Sequence, residues 1–171
     1  MKTLSIIAIF ATLTASAAWQ IDTITDPMTD STRYAIVTHG TQVAAGFGFK
    51  YTPTFCVRIT PVSYDQAKDQ LTYTHEAIFG IEGDGLHRGR SQAMIRFDKA
   101  PAETLMITAS TDRRAGFFAP DSGVVQRAMS ATNILLRYRT TLGEERTTRF
   151  TVSGLSEQIR EAKHLYLKAR K

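Results

Sequence analysis

The pair His75-Glu76 has the chemistry with which a zinc hydrolase motif opens: an imidazole to hold the metal and a carboxylate to take a proton from its water. That motif needs a second histidine one helical turn on, where this chain has Phe79. The histidines at 39, 75, 87 and 164 are far apart in sequence and are joined by no Cys/His cluster, so no metal site is expected. Asp22, Asp26 and Asp30 are evenly spaced but lack the glycine and terminal glutamate of a calcium loop, and turns at Asp26-Pro27 and Asp30-Ser31 account for them. Gly46-Phe47-Gly48 lacks the third glycine of a dinucleotide fingerprint and reads as closely packed strand. No serine sits in a nucleophile elbow. Cys56 lies in the apolar run Phe55-Cys56-Val57-Arg58-Ile59, where burial raises a thiol pKa rather than activating it. No catalytic residue, cofactor or metal is therefore expected, and the chain does not read as an enzyme.

These residues must be positioned by a chain that reads as made for export. Lys2 is followed by an apolar run from Leu4 to Leu13 and then by the small residues Ala15, Ser16, Ala17 and Ala18, the three regions of a cleavable signal peptide. Cleavage is expected before Ala18 or before Trp19, giving a signal peptide over 1–18 and one domain over 19–171. The run is too short to span a bilayer, and no second apolar stretch reaches that length, so no stable membrane insertion is expected after cleavage. The basic residues number 21 against 16 acidic; loss of Lys2 leaves 20 against 16. The arginines are scattered over strands and turns without the concentrated basic stripe and interleaved aromatics of a nucleic-acid binder, so they read as solvated strand faces and no nucleic-acid partner is expected. The single cysteine has no internal partner and reads as a buried free thiol.

Short β-branched and aromatic runs separated by turn residues predict a mainly β domain, an antiparallel sandwich or partly open barrel, with one short helix and a C-terminal helix. Strands are expected at Tyr34 to Thr38 and Val43 to Phe49, with a turn at His39-Gly40-Thr41, and from Phe55 to a stop at Pro61. A polar loop is expected over Ser63 to Gln70, then strands at Leu71 to Tyr73, Ala77 to Ile81 and Gln92 to Phe97. Thr104 to Ser110 alternates Leu105, Ile107 and Ala109 against Thr104, Met106 and Thr108, one buried face against the other. Asn133 to Thr141 and Arg146 to Val152 flank Leu142-Gly143-Glu144-Glu145 as a hairpin. Ser122 to Thr132 predicts a short helix. From Ser153, a predicted N-cap, the apolar spacing Leu155, Ile159, Ala162, Tyr166 traces one face of a terminal helix packed on the sheet.

Several blocks fall in a familiar order: Trp19 with Asp26-Pro27-Met28-Thr29-Asp30, then Phe55-Cys56-Val57-Arg58-Ile59, then Ile95-Arg96-Phe97-Asp98-Lys99-Ala100-Pro101. They continue with Ala109-Ser110-Thr111-Asp112-Arg113-Arg114-Ala115-Gly116-Phe117 and Phe150-Thr151-Val152-Ser153-Gly154-Leu155. In these the chain resembles the VasI-like proteins found beside bacterial type VI secretion genes and their prophage-type envelope relatives. The resemblance implies an exported, non-enzymatic periplasmic accessory protein that binds another envelope protein, with a β-rich domain and a terminal helix. The family's second cysteine near the C-terminus is missing here, where the chain reads His164-Leu165-Tyr166, so the stapling disulfide is absent.

Partner contact is expected through a sheet edge or through the Ser110 to Gly116 region. Asp112, Arg113 and Arg114 follow a buried strand and suit partner contact, although a charged turn explains them as well. In an alternative reading, an envelope inhibitor or phage superinfection-exclusion factor, the glycine-rich loop Gly83 to Gly89 would carry His87 and Arg88 into a cleft.

Overall fold

A computed structural model describes residues 18–25, 32–44, 52–65, 67–68, 70–81, 85–86 and 90–169. Residues 1–17 of the expected signal peptide, the aspartates at 26 and 30, the Gly46-Phe47-Gly48 segment, and His87 and Arg88 lie outside them. The strands are β1 (Gln20–Thr25), β2 (Thr32–Ala44), β3 (Thr54–Asp65), β4 (Gln70–Gly80), β5 (Arg90–Phe97), β6 (Glu103–Ala109), β7 (Ala115–Phe118), β8 (Asn133–Arg139) and β9 (Glu145–Thr151). The helices are α1 (Val124–Ser130), preceded by a 3-10 turn at Pro120–Ser122, and α2 (Leu155–Ala169).

All strand pairs are antiparallel, and the order β2-β3-β4-β7-β6-β5-β8-β9 returns to β2 through Gly40↔Phe150 and Thr41↔Arg149. The fold is thus mainly β, a closed eight-stranded barrel in place of the sandwich that the strand spacing also allowed. The spatial order β8-β5-β6-β7 is a Greek key. β1 lies outside the closed ring along Thr32 to Val37 of β2, which meets β9 farther on at Gly40 to Ala44.

An eight-stranded barrel has an interior just wide enough for side chains to fill. Here Phe55, Phe79, Phe150, Ile36, Ile95 and Leu136 fill it, each fully buried. Aromatic contacts knit it together: Phe79 of β4 lies 5.3 Å from Tyr138 of β8 on the opposite wall and 5.6 Å from Phe118 of the neighbouring β7, and Phe55 of β3 lies 5.8 Å from Phe150 of β9, two strands away. The middle of the barrel is consequently a packed core and not a ligand cup.

α2 buries Leu155, Ile159 and Ala162. Its Tyr166 meets Tyr34 and Tyr73 edge-on at 6.0 and 6.2 Å, and Lys163 stands 5.0 Å over the Tyr73 ring. The terminal helix therefore packs on the sheet, as its apolar stripe predicts. Its first turn is closed by the Gly154 carbonyl, which accepts from Gln158 N–H at 3.2 Å, so the N-cap is Gly154 and not Ser153. The Ser153 carbonyl instead accepts the indole N–H of Trp19 at 2.8 Å.

His75 faces inward beside this helix. Its Nε2 is buried and has no hydrogen-bond partner among the described residues; burial first, and the Lys163 charge second, hold its pKa below the ordinary value. The unfolded chain therefore takes up this proton at a higher pH than the folded chain does. Stability contributed by the neutral ring is full above the unfolded pKa of about 6.5 and falls as pH drops through it. Thermal melts from pH 8 to pH 5 should show a loss that is shallower in His75→Gln; identical slopes would count against this assignment.

Candidate functional site

The residues marked in the sequence divide between structure and surface. His75 and Glu76 lie on a strand, not a helix, and so point to opposite faces. Glu76 pairs outside with Arg58 of β3, whose guanidinium lies 5.9 Å from the centre of the Phe117 ring. Asp112, Arg113 and Arg114 form the tip of the β6–β7 hairpin. Asp112 Oδ1 accepts from Ser110 Oγ at 2.6 Å and from Arg114 N–H at 3.1 Å, and these two bonds, in that order, hold its carboxyl below the usual carboxylate range. Arg113 takes a left-handed φ of 63°, and its carbonyl accepts Leu86 N–H at 2.8 Å. This trio shapes the turn, and Arg113 anchors Leu86.

At that end Leu86 is fully buried and bridges Thr140 of the β8–β9 hairpin, while Thr141 N–H donates to the Gly85 carbonyl at 3.1 Å. Arg146, only 5% exposed, points into the same end and pairs with Glu144 Oε2 at 3.0 Å. Gly85 and Leu86 of the glycine-rich segment are thereby held between the β6–β7 and β8–β9 hairpins.

Cys56 is half-buried on β3, opposite Val37 and Ile78. Burial pushes its thiol up to about 11, against a smaller lowering by Arg58. Because only the thiolate reacts, alkylation by a maleimide at pH 8 should run on the order of a hundredfold slower than for an exposed cysteine. A rate equal to that of free cysteine would contradict the burial argument. Among the described residues no group of three or more His, Cys, Asp or Glu is placed to hold a metal. No helix among them is long and apolar enough to cross a membrane.

The distinctive surface is the outer face of β5, β8 and β9. Strand register puts Arg96 beside Leu135 and Leu135 beside Arg149; one step along, Met94 stands beside Arg137 and Arg137 beside Thr147. Arg137 Nε donates to Thr147 Oγ1 at 3.3 Å. No ion pair to a carboxylate is found for Arg96, Arg137 or Arg149 among the described residues, whereas Arg58, Arg127, Arg139, Arg146 and Arg160 each have one. Three guanidiniums on adjacent strands thus surround Leu135, beside Met94, 41% exposed, and Val43, 51% exposed. A shallow cleft of about 320 Å³ lies among them.

This cleft shares Met94 and Arg137 with a second hollow of about 480 Å³, where the barrel wall opens. The β5–β8 ladder covers only Met94 to Phe97, and Arg90 to Ala93 pair with β6 alone. Ser91 and Gln92 line the opening from β5, and Arg137 to Arg139 line it from β8. The Ser91 Oγ is buried and has no hydrogen-bond partner among the described residues. Arg139 at the rim is paired with Glu145 at 3.2 Å, both well exposed.

Reading the arginines as separate solvated positions hides this face. The β8–β9 half was accessible from the hairpin, whose register places Leu135 opposite Arg149. The β5 half was not, because β5 and β8 are joined through β6, β7 and α1. No family model, curated protein or solved structure matches this chain.

Proposed function

We propose that this chain is an exported, non-enzymatic accessory module of the bacterial envelope, working in the periplasm by binding another envelope protein through the outer face of β5, β8 and β9. The observation that carries this reading is the group Arg96, Arg137 and Arg149 around Leu135, Met94 and Val43. Like charges on neighbouring strands repel, and a sheet that gains nothing internally from them is arranged to meet opposite charge from outside. Export is supported by the signal-peptide pattern and by the tertiary contacts of Trp19, one residue past the expected cleavage region. The resemblance to VasI-like envelope proteins points the same way. The packed barrel core favours a surface binder over a carrier of ligands within the barrel.

Affinity capture from envelope extracts tests the proposal, using the mature chain, an Arg96→Glu/Arg149→Glu variant and an Asp112→Ala/Arg113→Ala variant. Recovery of a defined protein that is lost only with the arginine reversals is expected. Equal recovery by the reversed chain would refute the assigned face.

A further inference from the structure

Building on the binding face just proposed, we infer that the segment docking there is an extended acidic stretch of the partner, with carboxylates at alternate residues, one of which enters the wall opening beside Ser91. Three observations converge. The cleft around Leu135 and the opening at Ser91 share Met94 and Arg137, so one ligand can occupy both. From Arg96 to Gln92 the furrow follows four steps of β5, about 13 Å, the length of a four- or five-residue extended segment. Alternate side chains of such a segment point the same way, so its acidic residues face the three arginines with their methylene stems over Met94 and Leu135, while the residues between them point away from the sheet. Ser91 lines the hollow, and its buried hydroxyl, on the inner side of β5 with Ala93 and Ile95, has no partner among the described residues, which leaves it a donor for a carboxylate that enters the opening.

The same features disfavour other polyanions. The outward positions of these strands carry no aromatic side chain for stacking bases. Three arginines fall short of the roughly four to eight basic residues that hold a protein on an anionic bilayer, and a flat surface does not reach a recessed hydroxyl.

The probe is an acetylated, amidated hexapeptide of alternating glutamate and valine, titrated into the isotopically labelled mature chain and followed through its amide resonances. Saturable shifts at Gln92, Met94, Arg137 and Arg139 are expected, with the glutamine-for-glutamate peptide binding at least tenfold more weakly. Ser91→Ala separates a ligand contact from a structural role. Losing an unpartnered buried hydroxyl should leave the melting temperature unchanged or raised, while weakening the glutamate peptide by about tenfold. Equal binding of both peptides, shifts centred on residues 110–116, no binding, or binding only to phosphatidylglycerol vesicles would each overturn the inference. If the peptide fails while arginine reversal still abolishes capture of the envelope protein, the extended-segment inference falls and the face assignment stands. If capture survives reversal, the face assignment falls.

Discussion

Gly116→Ala is expected to destabilise the barrel by about 2–3 kcal/mol, the upper range for forcing a methyl group into a full core. A Cβ at this β7 position would stand 2.3 Å from Phe79 Cε1, 2.5 Å from Phe79 Cζ and 3.0 Å from Leu86 Cδ1. A ring in open space would swing aside, but Phe79 is fully buried and wedged between Phe118 and Tyr138. The loss corresponds to roughly 5–10 °C in a domain of this size, measurable by thermal denaturation. Phe79→Leu in the same chain should recover part of it, because the two changes share one space and are not additive. A Gly116→Ala chain that melts like the parent would mean that Phe79 is not held where the packing places it.

The second large effect concerns binding. Arg96→Glu with Arg149→Glu should weaken partner binding by on the order of a hundredfold, taking about 1.4 kcal/mol for each reversed charge facing an acidic surface. Stability should change little or improve, since each arginine on this face sits among like charges with no carboxylate ion pair among the described residues. Titration against the captured partner at two salt concentrations checks it. The parent's affinity should fall steeply with salt and the variant's should not, because exposed charge pairs are screened. Arg127 makes an instructive contrast. It pairs with Glu103, lies 4.6 Å from the centre of the Phe97 ring and donates to the Ser122 carbonyl at 2.8 Å, so its loss should cost stability rather than binding.

Local patterns were legible where one face of a strand or helix is buried and the other is wet. The alternation in Leu105, Ile107 and Ala109 gave β6, the charged tip between Asn133 and Val152 gave the β8–β9 hairpin, and the stripe from Leu155 gave α2. The predicted short helix resolves into the 3-10 turn at Pro120–Ser122 and α1. Turn residues misled where their role was packing. His39-Gly40-Thr41 lies inside β2, and Gly40 is there because a Cβ would meet the Phe150 ring at 2.6 Å. Pro61 does not stop β3, because the pairing with β2 has already ended at Ile59 and the missing N–H faces no neighbour; a bulge between Pro61 and Ser63 follows.

The stretch expected as a polar loop from Ser63 is partly strand, with β3 running to Asp65 and β4 starting at Gln70, and the two expected strands from Leu71 to Ile81 are one. β7 has only four residues and β1 lies outside the barrel, so neither imposes a strong alternation. The arginine face was least legible because it needs the closure of non-local strands. The spacing of Arg96, Arg137 and Arg149 along the chain carries no trace of their meeting around Leu135.

The most direct test is photocrosslinking in the producing cell from benzoylphenylalanine placed at Met94 or, as control, at Val62. Val62 is 61% exposed on β3, which stands across the barrel from β5. Binding through this face should give one discrete adduct from position 94, none from position 62, and loss of the adduct when Arg96→Glu and Arg149→Glu are added. An adduct formed from position 62 but not from 94, or one from 94 that survives both reversals, would contradict it.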